Sequence, residues 1–225
     1  MLNSTWLGRV SYSDALALQE DIVARKGADL SEPDELLLLE HEPVYTIGRT
    51  PDQSSLRDAT RLPYPVVQTN RGGQATYHGP GQLVGYPILD LRVRGQDLHR
   101  YLRSLEEVLL ALLAEFGVEG MRSPGQTGVW VGRRKIASIG VGVRRWISMH
   151  GFALNVCGDL APFSAITPCG IAGVEMTSLS RECGREITVR EAADRLIPLF
   201  RTHDTAALAN PGVPSSVYAT NEREN

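Results

Sequence analysis

The chain has 225 residues, 42% hydrophobic and 22% charged, ordinary values for a globular protein and enough length for one well-buried core. Its 23 basic and 26 acidic side chains leave a formal charge of -3, so bulk charge makes no case for binding nucleic acid or an anionic membrane. The start, MLNSTWLGRVSYSD, lacks a basic region followed by an apolar run, and no apolar stretch approaches the ~20 residues that span a bilayer, so a cytoplasmic protein is expected.

In chain order, SYSDALALQEDIVARKG puts Tyr12, Ala15, Leu16, Gln19, Ile22 and Val23 at helical spacing, with Ser and Asp as cap candidates and Gly27 as the stop. DELLLLEHEPVYTIGR is interrupted by Pro43 and reads as a buried strand, a loop and a second extended piece near the rim of a sheet. PYPVVQTNRGG is a short strand feeding the glycine-rich RGGQATYHGPGQLVGYP, and LVGYPILDL is a strand leaving it. Residues 97–116 give the clearest helix: Leu98, Tyr101, Leu102, Leu105, Leu109, Leu112 and Phe116 form one stripe, with Asp97 as N-cap and Gly117 as the stop. TGVWVG, KIASIGVGV and WISMHGFALNV are strands whose short links, GRR and RR, make them antiparallel. SAITPCGIAG is loop-like, and TVREAADRLIPLFRTH is a helix opened by the Thr188 and Glu191 capping pair. Strands and helices mix without repeats or a linker, which predicts one α+β domain over residues 1–208 and a mobile tail over 209–225.

Gly79, Gly81 and Gly85 lack the spacing of a dinucleotide fingerprint or a P-loop, no lysine follows them, and a strand comes next; a phosphate loop is rejected. A turn or bulge between strands explains the glycines but not the cluster of Arg71, Thr76, Tyr77, His78 and Gln82 beside them. Cys157, Cys169 and Cys183 show no C-x-x-C spacing and no histidine pair accompanies them, so neither a disulfide framework nor a metal site is indicated. A lone cysteine is ordinarily a small buried hydrophobe, the reading taken for Cys157 and Cys183. For Cys169 that reading stands beside another: Pro168 stiffens the turn and Gly170 leaves the following amide unobstructed, as for a nucleophile beside an oxyanion donor. A thiolate needs a base or cation nearby, and His78, His150 and Lys135 are the candidates, each with a plain structural alternative. Lys135 and Lys26 are the two lysines among 23 basic residues, which hints that a titratable amine is wanted there.

Taken together, LGRVSYSDALALQ, LLLEHEPVYTIGR, RGGQATYHGPGQLVGYPI, TGVWV, RRKIASIGVGV, HGFALNV, TPCGI and TSL resemble the octanoyltransferase (lipoyl(octanoyl) transferase) family of lipoate biosynthesis. The match keeps this order over most of the chain. The family's superfamily, that of biotin and lipoate protein ligases, implies a central mixed, largely antiparallel sheet flanked by helices. The resemblance implies an acyltransferase that moves an octanoyl group from octanoyl-acyl carrier protein to a lysine of lipoyl domains, in 2-oxoacid dehydrogenase subunits and the glycine-cleavage H protein. It implies no ATP, metal or other cofactor, and no nucleic-acid or membrane partner. Cys169 matches the family's nucleophile, which forms an acyl-thioester intermediate, and Lys135 the lysine paired with it. Substrate-binding segments carry over as Arg71, Gly72, Gly73, Gln74, Ala75, Thr76, Tyr77 and His78; Ser138, Ile139 and Gly140; and Gly151, Phe152 and Ala153. Glycines 72, 73, 79 and 81 are then expected to open a narrow acyl channel, and Arg71, Arg133, Arg134, Arg144 and Arg145 to offer a basic docking patch. The alternatives are an amidotransferase working between carrier domains, an ATP-dependent lipoate-protein ligase, and a non-catalytic binder of acyl carrier or lipoyl domains.

Overall fold

A computed structural model describes residues 2–209 of the chain, with side-chain surroundings as far as residue 204. Its elements are β1 (Leu2–Val10), α1 (Tyr12–Ala28), β2 (Asp34–His41), β3 (Val44–Ile47), β4 (Val66–Gln68), β5 (Thr76–His78), β6 (Gln82–Ile88) and α2 (Leu98–Glu115). There follow β7 (Met121–Ser123), β8 (Gln126–Val131), β9 (Arg134–Arg144), β10 (Ile147–Asn155), β11 (Glu175–Met176), α3 (Leu179–Cys183) and α4 (Val189–Ala209). The helix starts follow the sequence signals. Ser11 Oγ accepts from the Asp14 amide at 3.1 Å, Asp97 from the Arg100 amide at 3.0 Å, and Thr188 Oγ1 from the Glu191 amide at 3.1 Å.

The main sheet runs β1-β2-β6-β10-β9-β8-β7, with β11 joined parallel to β9 as an eighth strand. β1 and β2 are parallel and the remaining neighbours along that path antiparallel, the mixed, largely antiparallel arrangement expected. A second sheet, β4-β3-β5, stands apart from it. Of the segment 40–49 expected near the rim of a sheet, Glu40 and His41 end β2 in the main sheet, and Val44–Ile47 past Pro43 pairs with β4 and β5 in the second one. The short β7 and β11, the first strand β1 and the five-residue α3 have no counterpart in the sequence reading.

Both faces of the main sheet are covered. Leu36 and Leu38 of β2 join the core under α2 and α4, built on Leu105, Leu109 and Leu112, while Leu37 and Leu39 join the core under α1 with Ala15, Ile22 and Val23. A strand buried on both faces needs a run of apolar residues rather than alternation, which is why LLLL occurs here. Cys157 corrects an expectation: it is exposed, in the turn after β10, while Cys183 is half-buried on α3. α4 continues through Ala209, so the expected boundary at 208 falls inside a helix; the rest of the expected tail lies outside the described residues. Among the described residues no helix is long and apolar enough to cross a membrane.

Candidate active site

A cavity of about 390 Å³ opens between the middle of β9 and β10, the loop before β5 and the turn carrying Cys169. Cys169 sits at φ 57, in the left-handed region that a residue with a side chain rarely adopts. Such a conformation costs of order 1–3 kcal/mol and persists only where neighbours enforce it. They do so here: the Cys169 amide donates to Ala75 O at 2.8 Å, and the Thr167 amide donates to Ser55 O at 2.8 Å. Gly170 follows at φ 71, where an added Cβ would stand 2.9 Å from Gln74 Cγ, so glycine is required after the thiol. The expectation that Gly170 leaves its amide free as an oxyanion donor is corrected. That amide donates to Thr167 O at 2.9 Å and closes the turn.

Lys135 reaches the same cavity through an irregularity in β9. Trp130 pairs with Lys135 and Val129 with Ala137, so Ile136 is an extra residue in the ladder. Side chains three positions apart on a regular strand point to opposite faces; the bulge at Ile136 lets Lys135 and Ser138 line one cavity. Ser138 Oγ lies 3.5 Å from Cys169 Sγ. Lys135 is 1% exposed, donates from Nζ to Thr127 O at 3.1 Å, and holds Nζ 4.6 Å from the Trp130 ring centroid. A carbonyl oxygen and an aromatic face both suit an ammonium.

The three expected segments meet at this cavity, apart from two residues. Ala75 serves through its backbone, which holds the Cys169 amide, and Tyr77 turns away into a cluster with Tyr45, Tyr64 and Phe163. Gly72 and Gly73 line the cavity, but Gly79 and Gly81 do not. A side chain at Gly79 would collide with the Tyr77 ring and one at Gly81 with the backbone of Gly158, so these two glycines serve close packing and not the channel.

Arg71 is buried, and its guanidinium donates to Gly72 O at 2.9 Å, Gln74 O at 3.1 Å, Thr46 O at 3.0 Å and Thr46 Oγ1 at 2.8 Å. It therefore clamps the 71–74 loop onto β3 and is not part of a docking surface, which corrects that expectation. Burial pushes its pKa down, and the charges of Tyr12 and Cys169 oppose that fall. Of the other arginines expected in a docking patch, Arg134 is bound to Glu182 at 2.8 Å, while Arg133, Arg144 and Arg145 are exposed.

His78 and His150 line the cavity, but their side-chain hydrogen-bond partners lie outside it. His78 Nδ1 lies 2.8 Å from Gln82 Oε1 and Nε2 3.3 Å from Thr46 Oγ1; burial, with His41 adding to it, holds its pKa well below the ordinary value. His150 Nε2 makes a very short contact with Asn70 Oδ1, and burial lowers its pKa to about 4. Neutral rings with these partners build part of the cavity wall. The sequence reading missed Tyr12, Tyr86, Leu98 and Leu102. Of these, Tyr12 and Tyr86 are buried, while Leu98 is 40% exposed. The helical stripe of α2 contained both leucines, but periodicity alone does not separate a core contact from a cavity wall.

The model of the lipoyl protein ligase A/B catalytic domain matches residues 11–201. An octanoyltransferase of Geobacter sulfurreducens is 60% identical over 83% of this chain and 77% of its own length. One of Rubrobacter xylanophilus is 49% identical over 91% of this chain and 92% of its own. Among solved structures, a bipartite lipoate protein ligase of Thermoplasma acidophilum superposes with a TM-score of 0.69 at 17% identity, over 91% of this chain and 83% of that one. A lipoate-protein ligase A bound with ATP gives 0.68 at 16%, over 91% and 85%. These two show the fold. The chain is thus an acyltransferase that belongs to the lipoyl protein ligase A/B catalytic domain family.

Proposed function

We propose that this enzyme transfers an octanoyl group from octanoyl-acyl carrier protein to a lysine of lipoyl domains, in 2-oxoacid dehydrogenases and the glycine-cleavage H protein, through a thioester on Cys169. The observation that carries the reading is a cysteine held at φ 57 beside a cavity that also receives the fully buried Lys135 and the apolar walls of Ile139 and Phe152. The names of the relatives supply the octanoyl group.

The Cys169 thiolate attacks the thioester carbonyl of the donor, and the C–S bond to the carrier breaks as the new one forms. The departing thiolate takes a proton from the Lys135 ammonium. The neutral Lys135 amine then accepts the proton that the incoming lysine loses as its nitrogen attacks the acyl-enzyme. Cys169 leaves as thiolate, and the pair returns to its starting state. The first exchange is close to isoergic and the second, thioester to amide, runs downhill, so the reaction takes no ATP. Positioning and exclusion of water are what the cavity contributes. Burying the acyl chain supplies up to roughly 0.8 kcal/mol per methylene.

Mass spectrometry after incubation with octanoyl-acyl carrier protein should find an octanoyl adduct on Cys169. Cys169→Ser with no adduct and full transfer would refute the thioester route, and Lys135→Arg should fail although it keeps the charge. Transfer from free octanoate that appears with ATP and is absent from the acyl carrier protein donor would instead identify a ligase.

A further inference from the structure

Glu106 has no part in the proposed chemistry, yet it is 0% exposed on α2, and a buried carboxylate persists only when its oxygens are satisfied. Its Oε2 accepts from Arg103 Nη1 at 2.6 Å and from Arg122 Nε at 2.9 Å. Its Oε1 accepts from the Gly128 amide at 3.0 Å. That N–H belongs to the peptide group whose carbonyl, Thr127 O, accepts from Lys135 Nζ at 3.1 Å. A trans peptide points its N–H and C=O in opposite directions, so one planar unit is held between a carboxylate and the lysine amine.

We propose that Glu106 is the positioning residue for Lys135, acting through the single peptide group that joins Thr127 to Gly128. The strand ladder does not fix this peptide by itself, because the pairing of β8 with β9 shifts register just beyond it, between Val129 and Trp130. Gly128 lies at φ 131, and a Cβ there would stand 2.9 Å from Lys135 Cε, so the residue that takes the carboxylate's contact also clears the path of the lysine side chain. Hydrogen bonds in series polarise one another, and a carboxylate at the amide end strengthens the carbonyl as an acceptor for an ammonium. The charged groups facing Glu106 are Arg103 on its own helix and Arg122 on β7, both on the oxygen that does not contact the peptide. This assignment rests on the reading of Lys135 as the proton-handling residue.

The chain contains two lysines, so the full protein labelled with 13C-lysine gives two side-chain signals, with Lys26 as internal reference. In Glu106→Gln the Lys135 signal should titrate at a pH lower than in the parent by roughly half a unit or more, while Lys26 stays in place. Octanoyl transfer should fall in kcat with KM little changed. An unmoved Lys135 titration in a variant with the parent's circular dichroism overturns the proposal and leaves Glu106 as a brace between α2 and β8. Should the glutamine amide, facing two guanidiniums, prevent folding, Glu106→Asp keeps the charge and draws the carboxylate back from the Gly128 amide. The same signal is then read, with displacement in the same direction expected and no displacement again decisive against. The titration uses no acyl substrate, so a displaced signal in a parent chain that does not transfer octanoate would sink the functional reading alone.

Discussion

Lowering the pH from 7.5 to 5.5 should strip this protein of a large part of its stability, because three buried histidines stay neutral in the folded state. Burial lowers the pKa of His41 to about 4 and of His150 to about 4, and drives that of His78 well below its ordinary 6.5. His41 and His78 stack edge to face with centroids 5.6 Å apart, so a proton on either would repel a proton on the other. In the unfolded chain all three titrate near 6.5. Below that value the unfolded state binds more protons than the folded one, so stability falls with falling pH through the window from about 6.5 to about 4 and is unaffected by these groups above it. Each ring is worth at most about 1.3 kcal/mol at pH 5.5, and the three together at most about 4 kcal/mol, against a typical total of ~5–15 kcal/mol. Urea unfolding followed by tryptophan fluorescence at a series of pH values reads the effect directly. A change of less than about 1 kcal/mol between pH 7.5 and 5.5 would show that the three rings accept protons without loss of the folded state.

Two substitutions address the site itself. Gly128→Ala places a methyl group 2.5 Å from Ala137 O and 2.9 Å from Lys135 Cε. It should reduce octanoyl transfer ~100-fold or more by displacing the amine, and lower the melting temperature by roughly 2–10 °C; near-parental transfer despite a lowered melting temperature would show that the amine does not act from this position. Cys169→Gly and Cys169→Ala should both abolish transfer, but the glycine variant should be the more stable by ~0.5–1 kcal/mol, because it relieves the left-handed backbone and offsets its own extra unfolded-state entropy. Equal chemical stability would remove strain from the account of the nucleophile turn.

The elements that the sequence makes legible are those whose cause is local. Asp97 caps α2 and the leucine stripe behind it packs inward because helical spacing alone aligns those residues. PCG reads as a stiff presenting turn because proline and glycine restrict or free the backbone wherever they stand. The second sheet was not legible, since what separates β3 from β2 is its pairing with β4 and β5, segments 20 or more residues away. Tyr77 and His78 are neighbours in one motif, yet they face opposite surroundings, an aromatic cluster for Tyr77 and the cavity for His78, because successive residues of β5 alternate.

By itself the sequence determined the three long helices α1, α2 and α4, the antiparallel run from β8 to β10, the kinship with lipoyl transfer and the candidacy of Cys169 and Lys135. Tertiary structure alone decided that these two, 34 positions apart, open onto one cavity. It decided also that Arg71 is an internal clamp, that Gly79 and Gly81 serve packing, and that a glutamate on α2 stands behind the lysine. The reason is physical. A motif fixes residue types and local backbone preference, whereas the extra residue at Ile136 that turns Lys135 and Ser138 to the same side, and the burial that demands a partner for every oxygen of Glu106, arise only when distant strands and helices pack together.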